Sequence, residues 1–189
     1  FDQELAFGGT GIDVIKDVPF SENLGQGEEG ITIAAWVNFD SLSGLISQIL
    51  KAENTTTLEF VSLELVSEEN AQQETKKKLR YSSSLSNDPL AVQTVITDTE
   101  VVQLQTFTHV AAVVFNTINP GNSVKLYVNA QVVKEAVLPA SSFPRDIARD
   151  VREIGDNFRG LMRDVVGFNV ALSQQEIALL MRRELEIIS

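Results

Sequence analysis

Two neighbouring stretches, Phe107–Phe115 (FTHVAAVVF) and Val124–Val133 (VKLYVNAQVV), constrain the fold more than any other part of the chain. Both read as strands, and only eight residues separate them. A parallel return needs a longer crossover, so the pair predicts an antiparallel hairpin. In the second stretch Val124, Leu126 and Val128 share one face, while Lys125, Tyr127 and Asn129 share the other. The first stretch is apolar on both faces, with Phe107, Ala111, Val113 and Phe115 against Val110, Ala112 and Val114. That pattern predicts a central strand covered on both sides, hence a β-sandwich.

The chain is long enough, at 189 residues, for one domain with a large core. Its formal charge of −11 makes nucleic acid and anionic membrane surfaces poor partners. No cysteine is present, which excludes a disulfide framework, a thiolate nucleophile and a zinc–cysteine site. His109 is the only histidine, so a zinc site built from several histidines is excluded too. No apolar run reaches the roughly 18 residues of a membrane span, so direct membrane insertion is not expected. The start, FDQELAF, reads as that of a domain cut from a larger protein, with residues 1–189 forming one unit.

Strands are predicted at Leu5–Gly8, Ile12–Ile15, Ile31–Phe39, Leu45–Lys51, Thr57–Val66, Leu79–Ser84, Leu90–Thr97, Val101–Leu104, Val151–Ile154 and Leu161–Asn169. In Thr57–Val66 the apolar phase changes, which predicts a bulge or shift near Val61. Ser67–Lys78 has no apolar period and reads as an exposed hairpin tip, with Lys76, Lys77 and Lys78 solvated. Asn54-Thr55-Thr56 is a glycosylation sequon, a short motif that also arises by chance. Trp36 has two readings: a platform for the apolar face of a sugar, or packing in the second layer of the sandwich. His109 lies inside an apolar strand with no local nucleophile or acid, and reads as structural. Near the carboxyl end Ser173 is an N-cap with Glu176 at N3, and Leu172 and Ile177 form a hydrophobic staple. A short amphipathic helix follows, with Ile177, Leu180 and Met181 on one side.

Ile154–Leu180 (IGDNFRGLMRDVVGFNVALSQQEIALL) resembles the end of laminin-G-like domains in the concanavalin A-like lectin and glucanase superfamily. The matching positions are Gly155, Phe158, Gly160, Leu161, Asp164, Leu172, Ser173, Glu176 and Ile177. The central pair matches through Phe107, His109 and Val110, then Leu126, Tyr127, Val128 and Asn129. Leu5–Phe7, Gly9, Gly11, Asp13 and Ile33–Val37 extend the resemblance over nearly the whole chain. Two departures stand out. The family hairpin turns at Asn–Gly, whereas Asn129 here precedes Ala130, which suggests a different turn type. The Glu–x–Asp–x–x–Glu pattern of the glucanase branch is absent, and Glu59 and Glu64 fall on opposite faces of a regular strand.

Together these features predict an all-β, two-sheet antiparallel jelly-roll sandwich of roughly 12–14 strands with a short C-terminal helix. Ile33, Val37, Val113, Phe115, Leu126, Val128, Val166 and Phe168 are its expected core. The resemblance implies a non-catalytic recognition or adhesion module, extracellular or at the cell surface, with a glycan or protein partner. A glycan-active hydrolase and a structural spacer are the alternatives. Binding sites on sandwiches favour the loops, which points to Asn87, Asp88 and Asn119 as polar contacts, although turn formation also accounts for them. Related domains often hold one structural calcium, Ca2+, where the first strand region meets the last. Here the expected donors are the Gly8–Gly11 carbonyls, notably Gly9, with Asp13 and Asp164. The competing role for Asp164 is an ion pair with Arg163 or Arg159, or acceptance of backbone N–H groups near a turn.

Overall fold

The computed structural model describes residues 4–8, 15–16, 30–40, 45–67, 75–84, 88, 90–116, 121–140 and 151–183. They form β1 (Leu5–Gly8), β2 (Ile15–Lys16), β3 (Gly30–Phe39), β4 (Ile46–Glu53), β5 (Phe60–Val66), β6 (Lys76–Ser84) and β7 (Val92–Ile96). Then come β8 (Val102–Gln103), β9 (Thr108–Phe115), β10 (Asn122–Val128), β11 (Gln131–Leu138), β12 (Val151–Ile154), β13 (Arg159–Phe168) and α1 (Gln174–Met181). The first sheet has the order β1-β13-β3-β9-β10-β11. The second runs β2-β12-β4-β5-β6-β7, with β8 paired to β6. Neighbouring strands pair antiparallel, and the two sheets form the expected jelly-roll sandwich.

Alternation builds the core. Ile31, Ile33, Ala35, Val37 and Phe39 of β3, Val110, Ala112 and Val114 of β9, and Val124 and Leu126 of β10 point to the second sheet. Leu50 and Ala52 of β4, Val61, Leu63 and Leu65 of β5, and Leu79 and Tyr81 of β6 meet them. The central strand β9 is covered on both faces, as its composition predicts. Its other face joins a second cluster of Ala34, Ala111, Val113, Tyr127, Ala130, Leu172 and Ile177 beneath α1. Val113, Phe115, Val166 and Phe168 belong to that cluster and not to the space between the sheets, whereas Ile33, Val37 and Leu126 lie in the main core and Val128 packs at its margin.

The helix sits where it does because its entry is pinned. Buried Thr32 donates from Oγ1 to the Val170 carbonyl (2.8 Å) and accepts from the Leu172 N–H (3.0 Å). Ser173 and Glu176 then close the capping box. Gly155 and Gly160 have φ of +90° and +132°. A Cβ would stand 2.0 Å from the Phe7 ring at Gly155 and 2.1 Å from the Asn38 carbonyl oxygen at Gly160. Both positions therefore require glycine.

Three expectations need correction. Val124–Val133 is not one strand: β10 ends at Val128, and Asn129 and Ala130 (φ +48° and +61°) turn the chain into β11. Positive φ at both central residues is the type I′ pattern, so alanine occupies the glycine position of the usual turn. The irregularity assigned to Val61 is a turn ahead of β5, where Leu58 has φ +62°, and the true register shift lies on β4 between Gln48 and Leu50. Lys76–Lys78 begins β6, and Lys77 is fully buried on the core side, its Nζ donating to Ser47 Oγ (3.1 Å) and lying 5.4 Å from the Phe39 ring centroid.

Candidate functional site

Each strand that sends aliphatic residues inward sends the alternate residues outward. On the second sheet the outward set is polar. Glu153, Lys51, Ser62, Ser82 and Thr94 stand in register across β12, β4, β5, β6 and β7. The adjacent row is Gln48, Glu64, Arg80 and Ile96. Glu64 accepts from Arg80 Nε (2.7 Å) and Nη2 (2.6 Å) and from Ser62 Oγ (3.0 Å). Lys51 pairs with Glu53 and lies 5.6 Å from the Phe60 ring centroid. The Phe60 N–H donates to Ser84 Oγ at 2.9 Å. Ser62, Ser82 and Gln48 are buried within these rows, so the accessible part of the face consists of Lys51, Glu64 and Arg80, the edge of Phe60 and exposed Thr94, a set of fixed charges beside one aromatic edge that suits recognition of a polar ligand. No site expectation from the sequence included these residues. The signal was the alternation of serine and charge in VSLELV and LRYSSS, which only acquires meaning once β5 and β6 are placed side by side.

Glu59 precedes β5 and is buried, while Glu64 is held by Arg80 and Ser62. The two do not form the facing carboxylate pair that glycoside hydrolysis uses.

The residues singled out from sequence scatter. Asp88 is exposed in the β6–β7 connection, where its carbonyl accepts from the Ala91 N–H at 3.0 Å. That is the turn role. Asn87, in the same connection, and Asn119, in the β9–β10 connection, lie outside the described residues, as do Gly9 and Asp13. Asn54 also shapes a turn, accepting from the N–H groups of Thr56 (2.9 Å) and Thr57 (2.8 Å).

Asp164 sits on a β-bulge of β13, with φ +51° and a register shift between Arg163 and Val166. Both its carboxylate oxygens accept from Arg183, at 2.7 and 2.9 Å. Asp164 thus has an arginine partner, while Gly9 and Asp13, its expected companions at a calcium site, lie outside the described residues. No group of three or more acidic or histidine ligands occurs among the described residues.

His109 is buried opposite Trp36, with ring centroids 5.4 Å apart. Burial lowers its pKa to about 4, against a smaller upward pull from Asp164. Its backbone N–H donates to Asn129 Oδ1 (3.0 Å) and its carbonyl accepts from the Asn129 N–H (2.8 Å). Its backbone is thus satisfied within the sheet, whereas its buried imidazole Nδ1 has no hydrogen-bond partner among the described residues. Trp36 is half-buried on the outward face of β3, outside both apolar clusters, with the Arg163 guanidinium carbon 5.1 Å from its ring centroid.

Comparison with known proteins agrees with this architecture. The family model for the laminin G group of the concanavalin A-like lectin/glucanases superfamily matches residues 15–178. No curated protein matches the chain. Among solved structures, the heptameric SAP-like pentraxin of Limulus polyphemus superposes with a TM-score of 0.62 at 11% identity, covering 94% of this chain and 81% of that one. The Ruminococcus gnavus IT-sialidase CBM40, bound to alpha2,3 sialyllactose, gives 0.60 at 15% identity over 82% and 84% of the two chains. The binding domain of botulinum neurotoxin serotype G gives 0.66 at 9% identity, covering 96% of this chain and 42% of that one. At such identities these structures attest the fold alone. No helix among the described residues is long and apolar enough to cross a membrane. The chain belongs to the laminin-G-like family of the concanavalin A-like lectin/glucanases superfamily.

Proposed function

We propose that this domain is a non-catalytic recognition module that binds a glycan, or a protein partner, outside the cell or at its surface. The observation that supports this best is the accessible part of the second sheet's outward face: Lys51, the Glu64–Arg80 pair, Phe60 and exposed Thr94, set in register by the buried serines Ser62 and Ser82. Fixed charges and an exposed hydroxyl beside an aromatic edge match the donors, acceptors and apolar faces of a sugar chain. Family membership and the glycan named with the R. gnavus module favour the same class of ligand. The loop residues Asn87, Asp88 and Asn119 stay part of the proposal as peripheral contacts, Asn87 and Asp88 in the connection that follows the Ser84 end of β6.

A glycan array probed with this domain tests the reading, followed by incubation with any glycan it binds. Binding without product release is the expected result. Hydrolysis that is lost in Glu64→Gln would turn the assignment to a glycan-active hydrolase. An empty array together with an empty pull-down would leave the structural spacer.

Calcium also enters the proposal, as one structural ion held by the Gly8–Gly11 carbonyls, notably Gly9, with Asp13, Asp164 and water. Excess chelator should then lower the thermal midpoint of the wild type, with a smaller shift in Asp164→Asn, whereas an equal shift in that variant would place the ion elsewhere. An unchanged wild-type midpoint, with no metal in the purified domain, would remove calcium from the account.

A further inference from the structure

The outward face of the first sheet holds a cation with no carboxylate partner. Arg163 of β13 stands opposite Trp36 of β3, which stands opposite His109 of β9. The Arg163 guanidinium carbon is 4.4 Å from the Phe107 ring centroid and 5.1 Å from that of Trp36. Its Nε is sealed from solvent without an acceptor. The neighbouring carboxylate, Asp164, is engaged through both oxygens by Arg183. Glu4, one position before the first registered pair of β1 and β13, is exposed and makes no ion pair with Arg163. No described carboxylate pairs with Arg163, although the chain as a whole carries a formal charge of −11.

We infer that Arg163, held flat by Trp36 and Phe107, is a receptor for the acidic group of a glycan, either a carboxylate or a sulfate ester. A guanidinium is planar, weakly hydrated and always charged, and its fork of N–H donors matches an oxyanion. Stacking on two rings fixes the plate before the ligand arrives, so less side-chain freedom is lost on binding. The Asp164–Arg183 pair neutralises the one nearby competitor. His109, buried and neutral behind Trp36, adds no charge of its own at neutral pH. The inference rests on the reading of the domain as a glycan-binding module, but it uses the opposite sheet from the serine row, so the two fail separately.

Trp36 is the only tryptophan, which makes its emission a direct reporter. The test titrates the domain with a hyaluronan oligosaccharide (carboxylate only), a carrageenan oligosaccharide (sulfate ester only) and a neutral cello-oligosaccharide. Wild type, Arg163→Gln and Arg163→Lys are compared, with circular dichroism confirming the fold of each. A saturable change with at least one acidic probe and none with the neutral one is expected, and the probe that responds identifies the acid. Affinity should fall about tenfold or more in both variants and weaken with added salt. Arg163→Lys keeps the charge and the stem, so it decides the matter if Arg163→Gln does not fold. An equal response to the neutral probe, an unchanged affinity in the folded variant, or no response to either acid overturns the inference. If the glycan array is positive in the same preparation, such a failure leaves the module assignment standing.

Discussion

At the scale of single residues, burial sets the terms. His109 takes up a proton near its ordinary value of 6.5 in the unfolded chain but only near 4 in the folded protein. Between those values the unfolded state binds more protons, so acid favours unfolding. The contribution is fully present above pH 6.5 and drains away as pH falls towards 4, by at most about 3 kcal/mol. Denaturant midpoints measured at about pH 7.5 and about pH 4.5 should therefore converge in His109→Phe relative to wild type. Equal pH dependence in the two proteins would contradict the burial argument. Gly160 makes a sharper case, because any Cβ there runs into the backbone of β3. Gly160→Ala should lose about 3 kcal/mol or more in urea denaturation, the range of combined steric and backbone strain. Lys77 shows why some of this was illegible. Lys77, Leu79, Tyr81 and Ser83 alternate as a core face, but a lysine inside a run of three reads as solvent-facing until the Phe39 ring and Ser47 are seen around it.

At the scale of elements, α1 is legible from sequence almost to the residue, because capping is a local code. Ser173, Glu176, Leu172 and Ile177 all occupy their expected places. Ser173→Ala should cost about 1 kcal/mol, and Ile177→Ala about 2–4 kcal/mol by opening the cluster above Ala34 and Ala111. Both are measurable as shifts in chemical denaturation, with the larger loss for Ile177. The position of the β10–β11 turn was legible through the resemblance but its type I′ conformation was not, because Asn129-Ala130 lacks the glycine that announces such turns. Its conformation is supported from outside the hairpin: Asn129 exchanges hydrogen bonds with His109, Gln174 Nε2 donates to the Ala130 carbonyl (3.0 Å), and Ala130 is buried beneath α1. Tertiary contacts here offset a local strain of about 1 kcal/mol.

At the scale of the whole molecule, the sandwich was legible because nearly every strand announces itself by period, and because short motifs in order resemble one family. The site was not. Ser62, Ser82 and Thr94 lie far apart in the chain, and only the pairing β5-β6-β7 makes them neighbours. Cross-strand register is a property of the assembled sheet, so no single stretch of sequence contains it. The same holds for Arg163, Trp36 and His109 on the other sheet. The proposed function requires the outward face of the second sheet to recognise a ligand. Thr94 is exposed in the serine row, so Thr94→Trp can obstruct that row with little effect on the core. The most direct measurement is one glycan array run with wild type, Thr94→Trp and Arg80→Ala, each checked for folding by thermal melting. The account predicts glycan binding by the wild type and its loss or strong weakening in both folded variants. Wild-type binding that persists unchanged in both would contradict it.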